Sequence, residues 1–396
     1  MVVLPAEIFN IIFSLIDDQH SLANLALTSS LFLQCSRPYY FRSIIITAEN
    51  VTKLADLLTN PYQTISGRIR ELHLIDAPFN DDGPPPRGLF EREDILIFVA
   101  SSIGPTATSM FLDCIDLVSF HPRVYQQFLS GFPNLLSIEL ASVSFASVSQ
   151  VLCMLGSFHS LEGASLNNIG WGSPTNDTPD NVYDYEIPPS LRKLCLWGCY
   201  KRDVMKCFLS QKALPIIREL DLGLISPSDT EAIGEYIGRL GKDLASLSLG
   251  FSSLDAGGDA DDFYLNCNLS LNTQLESIHF DRLLYFAEYR LTNPWPWISR
   301  IISSIRSTAL TTICFSIYLP HSHLSNSYFH FCWSEMDQFF NQRMMMLPCF
   351  KHLQLRICFD FSPDPDMIPL VLDKIEKKLP LCNEGGILQL KINTQH

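Results

Sequence analysis

One hydrophobic spacing recurs along most of the chain. From about residue 69 onward, three apolar positions fall as L-x-x-L-x-L, and a segment of helical period follows. The instances are IRELHL from Ile69, ATSMFL from Ala107, LLSIEL from Leu135, LEGASL from Leu161, LRKLCL from Leu191 and IRELDL from Ile217. LASLSL from Leu244, LESIHF from Leu275, LTTICF from Leu310, FKHLQL from Phe350 and GGILQL from Gly385 complete eleven units. The closing x-L-x-L alternates with the period of a short strand buried on one face. The segments after it predict helices, among them 91–103, 146–158, 201–211, 228–240, 336–346 and 366–379. Ser228, three residues before Glu231, has the spacing of a capping box.

A strand and helix of this size cannot bury their apolar faces alone. Stacked neighbours can, and the expected fold is an α/β solenoid over residues 49–396, with parallel strands on its inner face and helices outside. Residues 140–161 contain no charged side chain and are long enough to span a bilayer. The repeat register runs through them, so they are expected to be strand, buried helix and strand, with no membrane partner. The loops at 76–88 and 170–189 are rich in Pro, Gly and Asp, which predicts irregular structure.

Alternation also assigns side chains to the inner face. The positions facing away from the helices hold Glu71 and His73, Lys193 and Trp197, Glu219 and Asp221, and His279 and Asp281. His352, Gln354 and Arg356, then Gln389 and Lys391, close the series. Of these, His73, Lys193, Trp197, Glu219, Asp221, His279, Asp281 and Arg356 are the candidate target-binding residues. The expected surface is acidic in the middle around an exposed Trp197 and basic towards the C-terminal units. It would suit a polypeptide with basic segments.

Residues 4–16, 19–27 and 28–40 do not follow the repeat and predict three short helices. Asp17 and Asp18 break the first, Thr28-Ser29-Ser30 offers a cap for the third, and Pro38 is expected to end it. The first, LPAEIFNIIFSLI, is apolar nearly all round, the mark of burial on more than one side.

Composition narrows the function. The formal net charge is −14 over 396 residues, with no basic stripe, which argues against a nucleic-acid partner. Twelve cysteines lie singly, mostly in apolar runs, as small buried hydrophobes do in reducing compartments; a cytoplasmic or nuclear location is expected. Cys195 and Cys199 have no second pair to complete a zinc site, His321 and His323 lack a nearby carboxylate, and the acidic stretch 255–262 lacks the closing Glu of a calcium loop. No nucleophile elbow, phosphate loop or zinc-protease motif occurs, so no catalytic residue, metal or cofactor is assigned and a non-enzyme is expected.

The repeats resemble leucine-rich repeats of an irregular form. Successive units start about 26 to 40 residues apart, against roughly 20 to 29 in the regular family. The position three residues after the last Leu, Asn or Cys in that family, is here Cys199, Cys358 and Asn393 but Ile115, Val143, Ile169 and Ile225 elsewhere.

The N-terminal stretch, taken as a domain over residues 1–48, resembles an F-box. Leu4, Pro5, Glu7, Ile8, Ile12, Leu15, Leu22, Leu25, Leu27, Ser29, Phe32 and the closing YYFRSI carry the likeness; Phe32 stands where many members have Trp. F-box followed by irregular leucine-rich repeats is similar to the large F-box families of fungi. The resemblance implies a non-catalytic substrate receptor of a Skp–cullin–F-box ubiquitin ligase, acting in ubiquitin-dependent proteolysis. Leu4, Pro5, Ile8, Ile12, Leu22, Leu25 and Phe32 would meet the Skp-type adaptor, and through it a cullin–RING ligase, while the solenoid holds a protein substrate. The alternative is a leucine-rich-repeat scaffold whose N-terminal helices only cap it.

Overall fold

A computed structural model describes residues 5–16, 18–76, 89, 92–118, 121–171, 185–251, 263–283, 295–319, 332–344, 347–359 and 362–393. Its internal contacts divide it into two units, Met1–Leu191 and Arg192–His396.

The first unit opens with three helices, α1 (Ala6–Ser14), α2 (Gln19–Ala26) and α3 (Ser30–Tyr40). Asp18 caps α2 by accepting from the N–H of His20 and Ser21, and Ser29 caps α3 by accepting from the N–H of Phe32. Pro38 does not end α3; it lies inside the helix, which runs on to Tyr40. It sits in the last turn, so the ring costs the helix a single hydrogen bond near an end that would fray anyway. The bundle has its own core, in which Phe13, Leu22 and Cys35 are buried and Phe9, Ile16, Leu25, Leu31 and Phe32 pack around them. Phe32 lies 4.9 Å from Phe9 and 5.5 Å from Phe13 by ring centroids.

The first strand, β1 (Ser43–Ile46), follows at once and lies inside the stretch assigned to the helical domain. It pairs in parallel with β2 (Glu71–Ile75), and β3 (Ser109–Asp113), β4 (Ser137–Ala141) and β6 (Gly163–Asn167) extend the sheet in chain order. Two short strands, β5 (Ser144–Phe145) and β7 (Gly170–Trp171), pair beside it, so the loop expected from Gly170 begins with regular structure. Helices α4 (Val51–Thr59), α5 (Glu93–Ile103), α6 (Pro122–Ser130) and α7 (Val148–Ser157) connect the strands. The uncharged stretch 140–161 is the end of β4, then β5 and α7; no described helix is long and apolar enough to cross a membrane.

In the second unit, β8 (Lys193–Trp197), β9 (Glu219–Ile225), β10 (Ser246–Phe251), β11 (Ser277–Leu283), β12 (Thr312–Leu319), β13 (His352–Phe359) and β14 (Leu388–Asn393) follow the same parallel order. Its helices are α8 (Lys201–Ser210), α9 (Thr230–Leu240), α10 (Trp295–Ser304), α11 (Trp333–Met344), α12 (Met367–Glu376) and α13 (Pro380–Glu384). All eleven repeat motifs therefore end in a strand, as their alternation requires, and both units are built of leucine-rich-repeat-like strand–helix repeats.

The pairing is in register. Leu72, Met110, Ile138 and Ala164 stand side by side, as do Leu194, Leu220, Leu247, Ile278, Ile313 and Leu353. All ten are buried, so each strand completes an apolar layer begun by its neighbour. What holds the turns without an asparagine ladder is the backbone itself. Cys114, Ser142 and Asn168, each one residue beyond a strand, adopt left-handed φ of 55°, 53° and 52°. The Cys114 N–H donates to the Ala141 carbonyl and the Ser142 N–H to the Asn167 carbonyl, both at 3.0 Å. The hydrogen-bond ladder thus continues around the corner, offsetting a left-handed cost of roughly 1–2 kcal/mol per residue.

The capping box begins two residues before the expected Ser228 and closes the 3-10 turn Pro227–Asp229 that leads into α9. Ser226 and Asp229 form it, with Asp229 accepting from both the N–H and the hydroxyl of Ser226. One turn further on, Gly234 lets α9 approach the next repeat: a Cβ there would collide with the Asn266 carbonyl and lie 3.2 Å from the Cys267 nitrogen. Because the obstacle is backbone, Gly234→Ala is expected to destabilise the protein by about 1–3 kcal/mol, read as a lower urea midpoint at unchanged slope.

Candidate functional site

Two surfaces stand out among the described residues. The first is on the helical bundle. Phe9, Phe13 and Ile16 recur at helical spacing and face the bundle core, while Ile8, Ile11, Ile12 and Leu15 form the opposite stripe and are exposed. Leu15 is 77% exposed and Leu27, just beyond α2, 86%; Leu33 on α3 is exposed too.

The expected adaptor residues therefore divide. Pro5, Ile8 and Ile12 are on the open side. Leu22, at 1% exposure, is core and has no surface to offer, and Phe32 is held among Phe9 and Phe13. Leu25 is half-buried against the same core, and Leu4 lies outside the described residues. Sequence reasoning missed Ile11 and Leu33; the i, i+3, i+7 spacing of Ile8, Ile11 and Leu15 was the available signal.

The second surface is the sheet face turned away from the buried leucines. His73 sits on it in the first unit, half-buried 5.4 Å from Phe111. In the second unit the face is a connected polar network. Trp197 lies against Gly223: a Cβ at Gly223, whose φ is +54°, would be 3.1 Å from the indole. The Arg282 guanidinium covers the same ring at 5.5 Å and comes within 3.6 Å of Asp281. Trp197 is thus half-buried between backbone and guanidinium, not the open side chain that alternation predicts.

Arg282 itself was not foreseen. Its φ of +55° places it in the left-handed region, at a bulge where the β11–β12 register shifts between Phe280 and Leu283. The bulge breaks the alternation on which the sequence assignment rested and brings Asp281 into a site where it is 7% exposed. Burial pushes the Asp281 carboxyl above its ordinary range, against the pull of the Arg282 N–H and charge, Ser316 and Arg356.

His279 is clamped between two hydroxyls, with Nδ1 3.2 Å from Ser248 Oγ and Nε2 2.8 Å from Ser316 Oγ. Burial, and then the Arg356 charge, lower its pKa to about 4 against the pull of Asp221. The ring is neutral at physiological pH. Asp221 accepts from the Gly223 N–H at 3.0 Å, and Glu219 faces Lys193 at 3.7 Å. The middle of the face is therefore not an open acidic patch: Asp281 is held under Arg282, and Glu219 has a cation beside it.

Burial pushes the Cys199 thiol up to about 12 even with the Lys201 charge opposing it. The His321–His323 pair and the acidic stretch 255–262 lie outside the described residues.

No family model matches the chain, and no curated protein does. Among solved structures, it is similar to the leucine-rich-repeat protein LegL7 from Legionella pneumophila, at 13% identity and a TM-score of 0.44, over 85% of this chain and 97% of that one. It is also similar to the Rad7 and Elc1 complex of yeast, at 12% identity and a TM-score of 0.35, over 91% of each. Similarity at this level leaves function open.

The network carries its own pH signature. The unfolded chain protonates His279 near pH 6.5, whereas the folded chain holds it neutral down to about 4. Stability therefore falls as pH drops through that window, by at most about 1.4 kcal/mol per pH unit. Replacing the imidazole in His279→Asn removes this contribution, and urea unfolding of both proteins between pH 4 and 7 should show a shallower loss in the variant.

Proposed function

We propose that the protein is a non-catalytic substrate receptor of a Skp–cullin–F-box type ubiquitin ligase. The N-terminal bundle would dock on the adaptor, and the repeats would hold a protein target. The observation that carries this reading is the aliphatic stripe Ile8, Ile11, Ile12 and Leu15, exposed on a bundle that already has a complete core. A helix that served only to cap the repeats would turn such a stripe onto the first strand–helix pair. Here α1 packs against α3 and its stripe faces outward. A contiguous aliphatic surface of this kind marks a protein contact.

The target would be held by the polar sheet face, whose aromatic and arginine pair, Trp197 and Arg282, has the composition of an interface anchor. The match to a target with basic segments is weaker than alternation implies, because much of the acidity is internally compensated.

Adaptor binding is the direct test. The protein should co-purify with a Skp-type adaptor, and Ile8→Asp with Ile12→Asp should lose at least tenfold in affinity. Both positions are exposed, so the thermal midpoint should stay close to that of the parent. A parent protein that ignores the adaptor would instead favour the scaffold role.

A further inference from the structure

The charges on the polar sheet face of the second unit do not balance along its length. Towards its first strands they pair: Lys193 lies 3.7 Å from Glu219, and Arg282 reaches Asp281 at 3.6 Å. At the last two strands they do not. Arg356 on β13 stands beside Lys391 on β14 in the parallel register, with Ser316 of β12 on its other side. Neither cation forms an ion pair with a carboxylate among the described residues. Paired strands run about 4.8 Å apart, so two positive side chains on one face at that spacing repel. An anion between them would relieve the repulsion.

The surroundings leave both groups with donors to spare. A guanidinium has five N–H groups, and Arg356 uses one of them, on the side-chain carbonyl oxygen of Gln354 at 3.4 Å. The Lys391 ammonium makes no hydrogen bond among the described residues. The neighbouring polar side chains satisfy one another: Gln389 Nε2 is 2.8 Å from His352 Nδ1, and Ser316 Oγ is 2.8 Å from His279 Nε2. Arg356 is half-buried, so its guanidinium is partly desolvated while most of its donors are unused. Burial pushes the Cys314 thiol up to about 11, and the Arg356 and Lys391 charges both pull against it, which puts the two cations over one patch of the sheet. The Arg356 charge also reaches His279 and Asp281, but His279 is neutral at physiological pH and Asp281 already has the Arg282 guanidinium beside it. In a chain of net charge −14, the pair is a local reversal of sign.

We propose that Arg356 and Lys391 are the docking point for an acidic segment of a protein target, with a side-chain carboxylate lying between the guanidinium and the ammonium. The guanidinium offers a carboxylate two parallel charge-assisted bonds, and the ammonium adds a point charge. Lys391 is exposed and the face is open here, so a small carboxylate would bury little of itself, whereas a polypeptide crossing the strands covers both side chains. Charge complementarity at this end thus asks for acid, where alternation along the whole face suggests a basic partner. The inference rests on the part of the reading above that gives the polar face to a protein target. Adaptor docking uses α1, and either can fail without the other.

The test is isothermal titration of the full chain at low ionic strength. The probes are an end-capped nonapeptide of alternating alanine and glutamate, its glutamine twin, its lysine twin and free glutamate. The glutamate peptide should bind at least tenfold tighter than the other three. Arg356→Gln with Lys391→Gln should lose at least tenfold, with a thermal midpoint no lower than the parent's and adaptor co-purification unchanged. Lys391→Glu places a carboxylate beside Arg356 within the chain itself, so it should abolish peptide binding and raise the thermal midpoint. A parent protein that binds the glutamate peptide and ignores the adaptor keeps this site and loses the ligase reading. No binding of the glutamate peptide, equal binding of its glutamine twin or of free glutamate, or undiminished binding by Lys391→Glu would each overturn the proposal.

Discussion

Each strand–helix repeat of this protein has an apolar side that it cannot bury by itself, and the rest of the structure follows from that constraint. The solution is in-register parallel pairing, which lines one buried residue against the next from strand to strand. Register matters because a slip of one residue would turn every leucine to the opposite face. Once the apolar layers are fixed, the other face of each strand is left to polar and aromatic side chains. The corners are closed by left-handed residues whose N–H groups continue the ladder, so repeats of unequal length can share one sheet.

The strands were legible in the sequence because alternation is a short-range signal that needs no knowledge of the neighbour. All eleven motifs became strands for that reason. The strand β1 was hidden because SIII has no L-x-x-L-x-L frame, and only its pairing with Glu71–Leu74 makes it a strand. Helix α10 accommodates Pro296 in its first turn, where the missing N–H costs no helical hydrogen bond. The cap of α9 was misplaced by two residues because Ser226, Ser228 and Asp229 offer competing caps that only geometry separates.

The candidate surfaces were legible in outline, but which of their side chains lie inside was not. The excess of aliphatic residues in α1 signalled an uncovered face, but the sequence could not say which residues were inside, and it placed Leu22 and Phe32 with the surface set. On the sheet face, alternation assigned side chains correctly until the bulge at Arg282. A left-handed residue one position before the end of a strand resets the count, and nothing in HFDRL announces it. That one conformation moved Asp281 inward and laid a guanidinium over Trp197, so an apparently acidic, open face became a compensated and partly closed one.

Arg282 also ties backbone strain to the shape of the polar sheet face. In the left-handed region a side chain other than glycine carries a cost on the order of 1–3 kcal/mol, which the contacts of this guanidinium with Trp197 and Asp281 offset. Glycine adopts the same left-handed φ at Gly223, two strands away in β9, without that cost. Glycine at position 282 would relieve the backbone and leave the indole bare. The strained residue is thus a lever on the polar face: a change in one φ angle would uncover an aromatic ring and release a buried carboxylate together.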